Sequence, residues 1–166
     1  MKINSIKTVT LIAILTALTV GMSLVVIIPI PATKGFVTLC EVGIFTSAIL
    51  FRNPVGMSVG AASGFLIDII SGFPVWCLFS LVIHGLEGFV VGYLVPEHDK
   101  SLKKVILPLL LGSLIMVVGY FLATTFLFGI TAGVTSIFSN IFQVGFGVGV
   151  TSLIVESLAK FKVKLI

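Results

Sequence analysis

Five side chains able to carry charge fall inside otherwise apolar stretches: Glu41, Asp68, His84, Glu87 and Glu156. Ionisable groups are costly within apolar spans and point to function by default. Tyr120, Ser139, Asn140 and Gln143 add uncharged donors and acceptors. His84 and Glu87 are three apart, so they share a helix face. Ser136, Ser139 or Asn140, Gln143 and Gly147 form a second stripe at helical spacing. Two polar stripes facing each other would line a pocket for a small polar molecule. Hydrogen bonding that only holds helices together competes with this reading for any single residue. The whole cluster favours the pocket. Catalysis has little support. His-x-x-Glu alone is a weak motif, and HExxH, GxSxG and GxxxxGK[ST] are all absent. A non-enzyme is expected, with no cofactor and no metal site. No channel-filter sequence is present. Cys40 and Cys77 read as buried small side chains, not as a disulfide framework.

The elements carrying these residues must be membrane spans. The 166 residues are 58% apolar and 10% charged, and mean hydropathy is +1.29. Soluble domains carry roughly 25% charged residues. At about 20 residues per span, six or seven helices exhaust the chain. The apolar runs predict a single integral membrane domain, 1–166. It is an all-α, six-transmembrane-helix bundle with spans near 7–28, 37–51, 55–71, 75–95, 105–128 and 134–158. The first is too long for a signal-peptide core and should be retained. Pro29 and Pro31 end it, and Pro29 to Phe36 reads as an ordered loop. Spans two and three are short for a bilayer. Pro54 and Pro74 suit helix starts. Gly129 to Gly133 turns the chain between the last two spans.

Charge placement orients the bundle. With six spans, Lys2, Lys7, Arg52, Lys100, Lys103, Lys104, Lys160, Lys162 and Lys164 share one side, leaving Lys34 on the other. That asymmetry puts both termini in the cytoplasm. It also explains the net charge of +4 without nucleic acid. Trp76 and Tyr93 fall at the two interfaces of span four. The chemistry-bearing residues, at about 1.5 Å per residue, gather in the outer half. His84 lies roughly 14 Å below the outer end of its span, with Glu87 a turn deeper. Asp68 reads as a helix-end carboxylate and Glu156 as a solvated end residue. Gly56, Gly60 and Gly64, then Gly85, Gly88 and Gly92, and finally Gly145 and Gly149 are spaced for close helix packing.

Several stretches resemble the substrate-binding S components of energy-coupling factor (ECF) vitamin transporters, near the riboflavin-type group. They are Gly56-Met57-Ser58-Val59-Gly60-Ala61-Ala62-Ser63-Gly64-Phe65-Leu66-Ile67-Asp68, His84-Gly85-Leu86-Glu87-Gly88 and Asn140-Ile141-Phe142-Gln143. Ala13-Ile14-Leu15-Thr16-Ala17 resembles the small-xxx-small motif of their first helix. The resemblance implies a protein of the prokaryotic plasma membrane that binds a vitamin or precursor from outside. It would then dock on a membrane scaffold (T) subunit driven by two ATPase subunits, topple in the bilayer and release its cargo inside. Ala13 and Ala17 would belong to the docking face, and Pro29 to Phe36 would be the lid.

Glu41, His84, Glu87, Tyr120, Asn140, Gln143, Lys34 and Trp76 are the expected substrate contacts. Carboxylates accept from hydroxyls or ring N–H groups, amides do both, and Trp76, Phe79 or Tyr120 can stack on a ring. This favours pyridoxine or hydroxymethylpyrimidine. Pantothenate would lean on Lys34, and riboflavin needs a larger apolar slot. A stand-alone small-solute permease is the rival from another class. It would couple to ions or protons through Glu87 or Asp68.

Overall fold

The computed structural model describes residues 6–31 and 35–160. Lys34, and with it the tip of the expected lid, lies outside the described residues, as do Lys2, Lys162 and Lys164. Six helices account for almost all of the described chain. They are α1 (Ile6–Val25), α2 (Cys40–Phe51), α3 (Val55–Ile70), α4 (Cys77–Leu94), α5 (Leu102–Phe128) and α6 (Ile130–Lys160). Four of them, α1, α4, α5 and α6, are long and apolar enough to cross a membrane. The α2 helix has 12 residues and α3 has 16. At 1.5 Å per residue these reach about 18 and 24 Å, short of a hydrocarbon core of about 30 Å.

The surface has the pattern that lipid imposes. On α5, Leu107, Leu114, Leu122 and Phe126 are 57–80% exposed, although Leu109 and Met116 are buried. A helix apolar on every side belongs in an apolar solvent.

The segment expected as a loop is a small β-hairpin. β1 (Ile28–Ile30) pairs antiparallel with β2 (Gly35–Val37), Ile28 opposite Val37 and Ile30 opposite Gly35. The residue before a proline is pushed towards extended backbone. Ile28 therefore leaves the helix, and α1 stops at Val25 instead of running to residue 28. Val37 is likewise in a strand, so α2 begins at Cys40. Elsewhere α3 and α4 are slightly shorter than expected, whereas α5 starts earlier, at Leu102, and α6 runs the longer span Ile130–Lys160. Gly129, at φ 90°, breaks α5 from α6 alone, and Gly133 N–H already donates to Gly129 C=O at 3.1 Å.

Glycine spacing sets the tightest packing. A Cβ at Gly56, Gly60 or Gly64 of α3 would strike the backbone of Gly88, His84 or Ser80 on α4. Gly85 returns the contact against Ala61. The two backbones thus run side by side, as their sequence spacing predicts. On α6 the prediction fails. Gly145 and Gly149 meet nothing within 4 Å among the described residues, and Gly147 packs on Glu41 instead.

Three apolar clusters fill the bundle. One, away from the hairpin, is built on Phe45, Ile49, Val91, Val105, Leu109 and Val155. A second surrounds Trp76, Ile83, Met116 and Val144. The third joins Val20, Cys40, Ile44 and Ile67.

Candidate functional site

A cavity lies beneath the hairpin, walled by α2, α3, α4, α5 and α6. Water centres have about 50 Å³ of room in it, enough for a few waters or one small ring. Ile30, Phe36 and Thr38 of the hairpin segment cover it, and Trp76, Met116 and Ile67 supply apolar wall. The Phe36 ring also packs on Phe73 with centroids 4.9 Å apart. That contact fastens the hairpin to the α3–α4 turn.

Of the expected contacts, His84, Tyr120, Asn140, Gln143 and Trp76 line the cavity. Trp76 is 4% exposed, so its ring points into the protein instead of sitting at an interface. It packs on Tyr120 and Phe128. Glu41 and Glu87 do not line the cavity. They stand behind His84, at 1% and 0% exposure. Sequence reasoning missed several lining residues. Asp68, expected as a helix-end anchor, is buried in the wall. Ser80 and Thr124 also line it, each one helical turn from a predicted residue, His84 and Tyr120. That spacing was the signal that could have found them. Cys40 is buried as expected, but it touches the same space.

Two hydrogen-bond chains organise these groups. In the first, His84 Nδ1 meets Glu87 Oε2 at 2.8 Å, His84 Nε2 meets Tyr120 Oη at 3.0 Å, and Tyr120 Oη meets Ser80 Oγ at 2.6 Å. In the second, the Thr38 backbone N–H donates to Gln143 Oε1 at 2.9 Å. Gln143 Nε2 donates in turn to Glu41 Oε1 at 2.7 Å. Glu41 Oε1 is also 3.8 Å from His84 Nδ1, where the chains meet. Glu41 Oε2, Glu87 Oε1 and Asp68 Oδ2 are buried without a hydrogen-bond partner among the described residues. Unpaired buried oxygens of this kind are expensive, so they mark where stability yields to another demand.

The sequence carries no metal signature, yet the structure brings Glu41, His84 and Glu87 together. One ligand atom from each lies within 4.8 Å of the others. Two carboxylates and an imidazole suit a divalent transition metal. The 2.8 Å contact between Glu87 and His84 is a hydrogen-bond length, and a cation between them would have to open it.

At the far end of the bundle, Arg52 pairs with exposed Glu97 at 3.2 Å. Lys100 Nζ donates to Leu50 C=O at the end of α2 at 2.8 Å. Burial lowers the Lys100 pKa, helped by the nearby Arg52 charge.

Two curated proteins resemble the chain over most of its length. One is the thiamine precursor transporter HmpT of Lactococcus lactis subsp. cremoris, 36% identical over 142 residues, covering 85% of this chain and 81% of the relative. The other is an uncharacterized protein in the gap 3'region of Pyrococcus woesei, 35% identical over 126 residues, covering 76% and 84%. The profile of the ECF-type riboflavin transporter S component matches residues 3–160. With a polar cavity set among lipid-facing helices, and a match over nearly its whole length, the chain belongs to the ECF-type riboflavin transporter S-component family.

Proposed function

We propose that this S component captures a thiamine precursor of the hydroxymethylpyrimidine type from outside the cell and delivers it to an ATP-driven module. One observation carries the substrate class. No Lys or Arg lines the cavity among the described residues, whereas Asp68, Ser80, Tyr120 and Asn140 do. Such a wall suits a neutral or weakly basic heteroaromatic ring bearing hydroxyl or amino donors. An anionic vitamin such as pantothenate would call for a cation. The similar protein HmpT is named as a thiamine precursor transporter, which supports the same choice. Pyridoxine, with three hydroxyls for that wall, is the second reading. A flavin ring system would need a larger cavity.

The chain would act without hydrolysing ATP itself. All six helices would lie in the bilayer with both termini cytoplasmic, the short α2 and α3 sitting where the membrane thins or neighbours cover them. The hairpin would be the outer lid. Ala13 and Ala17 are exposed on α1 and line a groove with Val9, Thr16, Gly21 and Ala62. Small residues one turn apart admit close helix contact in lipid, so this groove would receive the scaffold (T) subunit, which works with two ATPase subunits.

The test is thermal stability of the purified chain with hydroxymethylpyrimidine, pyridoxine, thiamine, pantothenate and riboflavin. A ligand at 100 times its Kd should add about 2.7 kcal/mol. A response to hydroxymethylpyrimidine alone supports the proposal, and a response to pantothenate or riboflavin alone refutes the substrate. Ala17→Trp should spare binding and abolish uptake. Transport in liposomes without ATPase subunits would favour the permease.

A further inference from the structure

The geometry points to Asp68 as the specificity-determining residue of the cavity: its free oxygen, Oδ2, takes an N–H donor from the ligand ring. Asp68 stands in the last turn of α3, is 5% exposed and lines the cavity. Its carboxyl group is held on one side only. The Ser80 hydroxyl, reaching across from α4, bonds it. Oδ2 is buried with no partner among the described residues.

The neighbours of Oδ2 have no hydrogen left for it. Ser80 has one, and it goes to Asp68. The 2.6 Å contact between Ser80 Oγ and Tyr120 Oη then takes the Tyr120 hydrogen. Both hydroxyls on this side of the cavity are engaged. The His84 ring stands near Asp68, but its nitrogens meet Glu87 Oε2 at 2.8 Å and Tyr120 Oη at 3.0 Å, and neither bonds Oδ2. No Lys or Arg lines the cavity among the described residues. An oxygen buried without a donor is destabilising, and a donor on the ligand would relieve it.

The backbone fixes where that donor must be. The Asp68 C=O accepts from Phe73 N–H at 2.8 Å, closing the turn whose Phe73 ring carries Phe36 of the hairpin. Asp68 therefore sits just below the point where the hairpin is fastened. A ring lying beneath the hairpin would turn its donor edge to α3 and leave its other polar groups to Asn140 on α6. The amino group of a thiamine-precursor pyrimidine is a donor of this kind. The assignment rests on the substrate reading above and adds to it the atom that recognises the amino group. An analogue with methyl in place of amino has nearly the same size and no donor. It would leave Oδ2 bare and bind about tenfold more weakly, the scale of one hydrogen bond.

The experiment is isothermal titration calorimetry of the purified chain in detergent with amino-hydroxymethylpyrimidine and with its methyl analogue. The wild type should prefer the amino ligand by about tenfold. In Asp68→Asn the amide oxygen can stay on Ser80, so the NH2 group faces the ligand and the preference should vanish. A merely structural Asp68 would weaken both ligands alike, and a ratio unchanged in that variant overturns the proposal. Ser80→Ala leaves the Asp68 carboxyl in the wall, so the ratio should persist whatever the change in overall affinity. A ratio that collapses there assigns the recognition to Ser80 and overturns the proposal, and this arm decides even where the Asp68 variant does not fold. Equal binding of the two pyrimidines by the wild type also overturns it, while the substrate reading stands. If pyridoxine binds and neither pyrimidine does, the pyrimidine reading falls, and the same comparison of pyridoxine with its hydroxymethyl-to-methyl analogues tests Asp68. If no ligand binds, both readings fall.

Discussion

The two ends of this bundle are built from the same helices and filled with opposite chemistry. On α2 the inward face passes from Glu41 to Phe45 and Ile49; on α4 it passes from His84 and Glu87 to Val91, with Val95 just past the helix end. On α6 it passes from Asn140 and Gln143 to Val155. Near the hairpin the face is polar, with oxygens left unpaired. Away from it, Phe45, Ile49, Val91, Val95, Val105 and Leu109 are all fully buried, and every one is apolar. The change takes about one turn on α2 and α4. The dry end specifies how the helices meet, and this lets the other end carry groups that would destabilise a bundle built of them alone.

Substitutions at the two ends should separate accordingly. The largest effect is expected from Phe45→Ala, which empties the centre of the dry end. It should cost about 3–5 kcal/mol in denaturant unfolding, while the protein that remains folded keeps its ligand Kd. A Kd that moved with it would erase the distinction between the ends. Gly60→Val joins them instead. Its side chain would strike the His84 carbonyl, so about 1–3 kcal/mol of stability and ligand affinity should fall together. Asn140→Ala should weaken binding about tenfold, one hydrogen bond's worth, and leave the ligand-free melting temperature nearly unchanged. The smallest effect belongs to Arg52→Ala. Its partner Glu97 is 70% exposed, so loss of the pair should cost less than about 1 kcal/mol, shrinking further in salt, with no effect on Kd.

What could be read from the sequence follows from how each feature is written in one dimension. The α3–α4 contact was legible because glycines four apart are a direct imprint of two backbones touching. The stripe of Ser136, Asn140, Gln143 and Gly147 was legible because helical period alone puts them on one face. The hairpin was not, since strands of three residues, one with Pro29 at its centre, are too short to show alternation. Asp68 was misjudged because counting residues gives its depth along α3 but not its direction. Glu41 and Glu87 were expected in the cavity for a related reason. A polar face can look towards a space or towards another helix, and spacing cannot distinguish them. Ser80 and Thr124 carried only their spacing of one turn from His84 and Tyr120, a weak signal because hydroxyls in apolar helices so often turn back on their own backbone, as Ser136 does to Gly133.

The glycine contacts between α3 and α4 have a mechanical side. Where backbone touches backbone there is no rotamer to change, so the two helices behave as one stiff plate. Asp68 and Ser80, one on each helix, keep their spacing while that contact holds. Any loosening of the grip on cargo must then come from parts joined by side chains alone. Gln143 is where these parts converge: its amide ties the root of the hairpin on one side and the end of α2 on the other. One side chain thus couples the hairpin to α2 by hydrogen bonds, beside the Gly147–Glu41 packing that also joins α6 to α2.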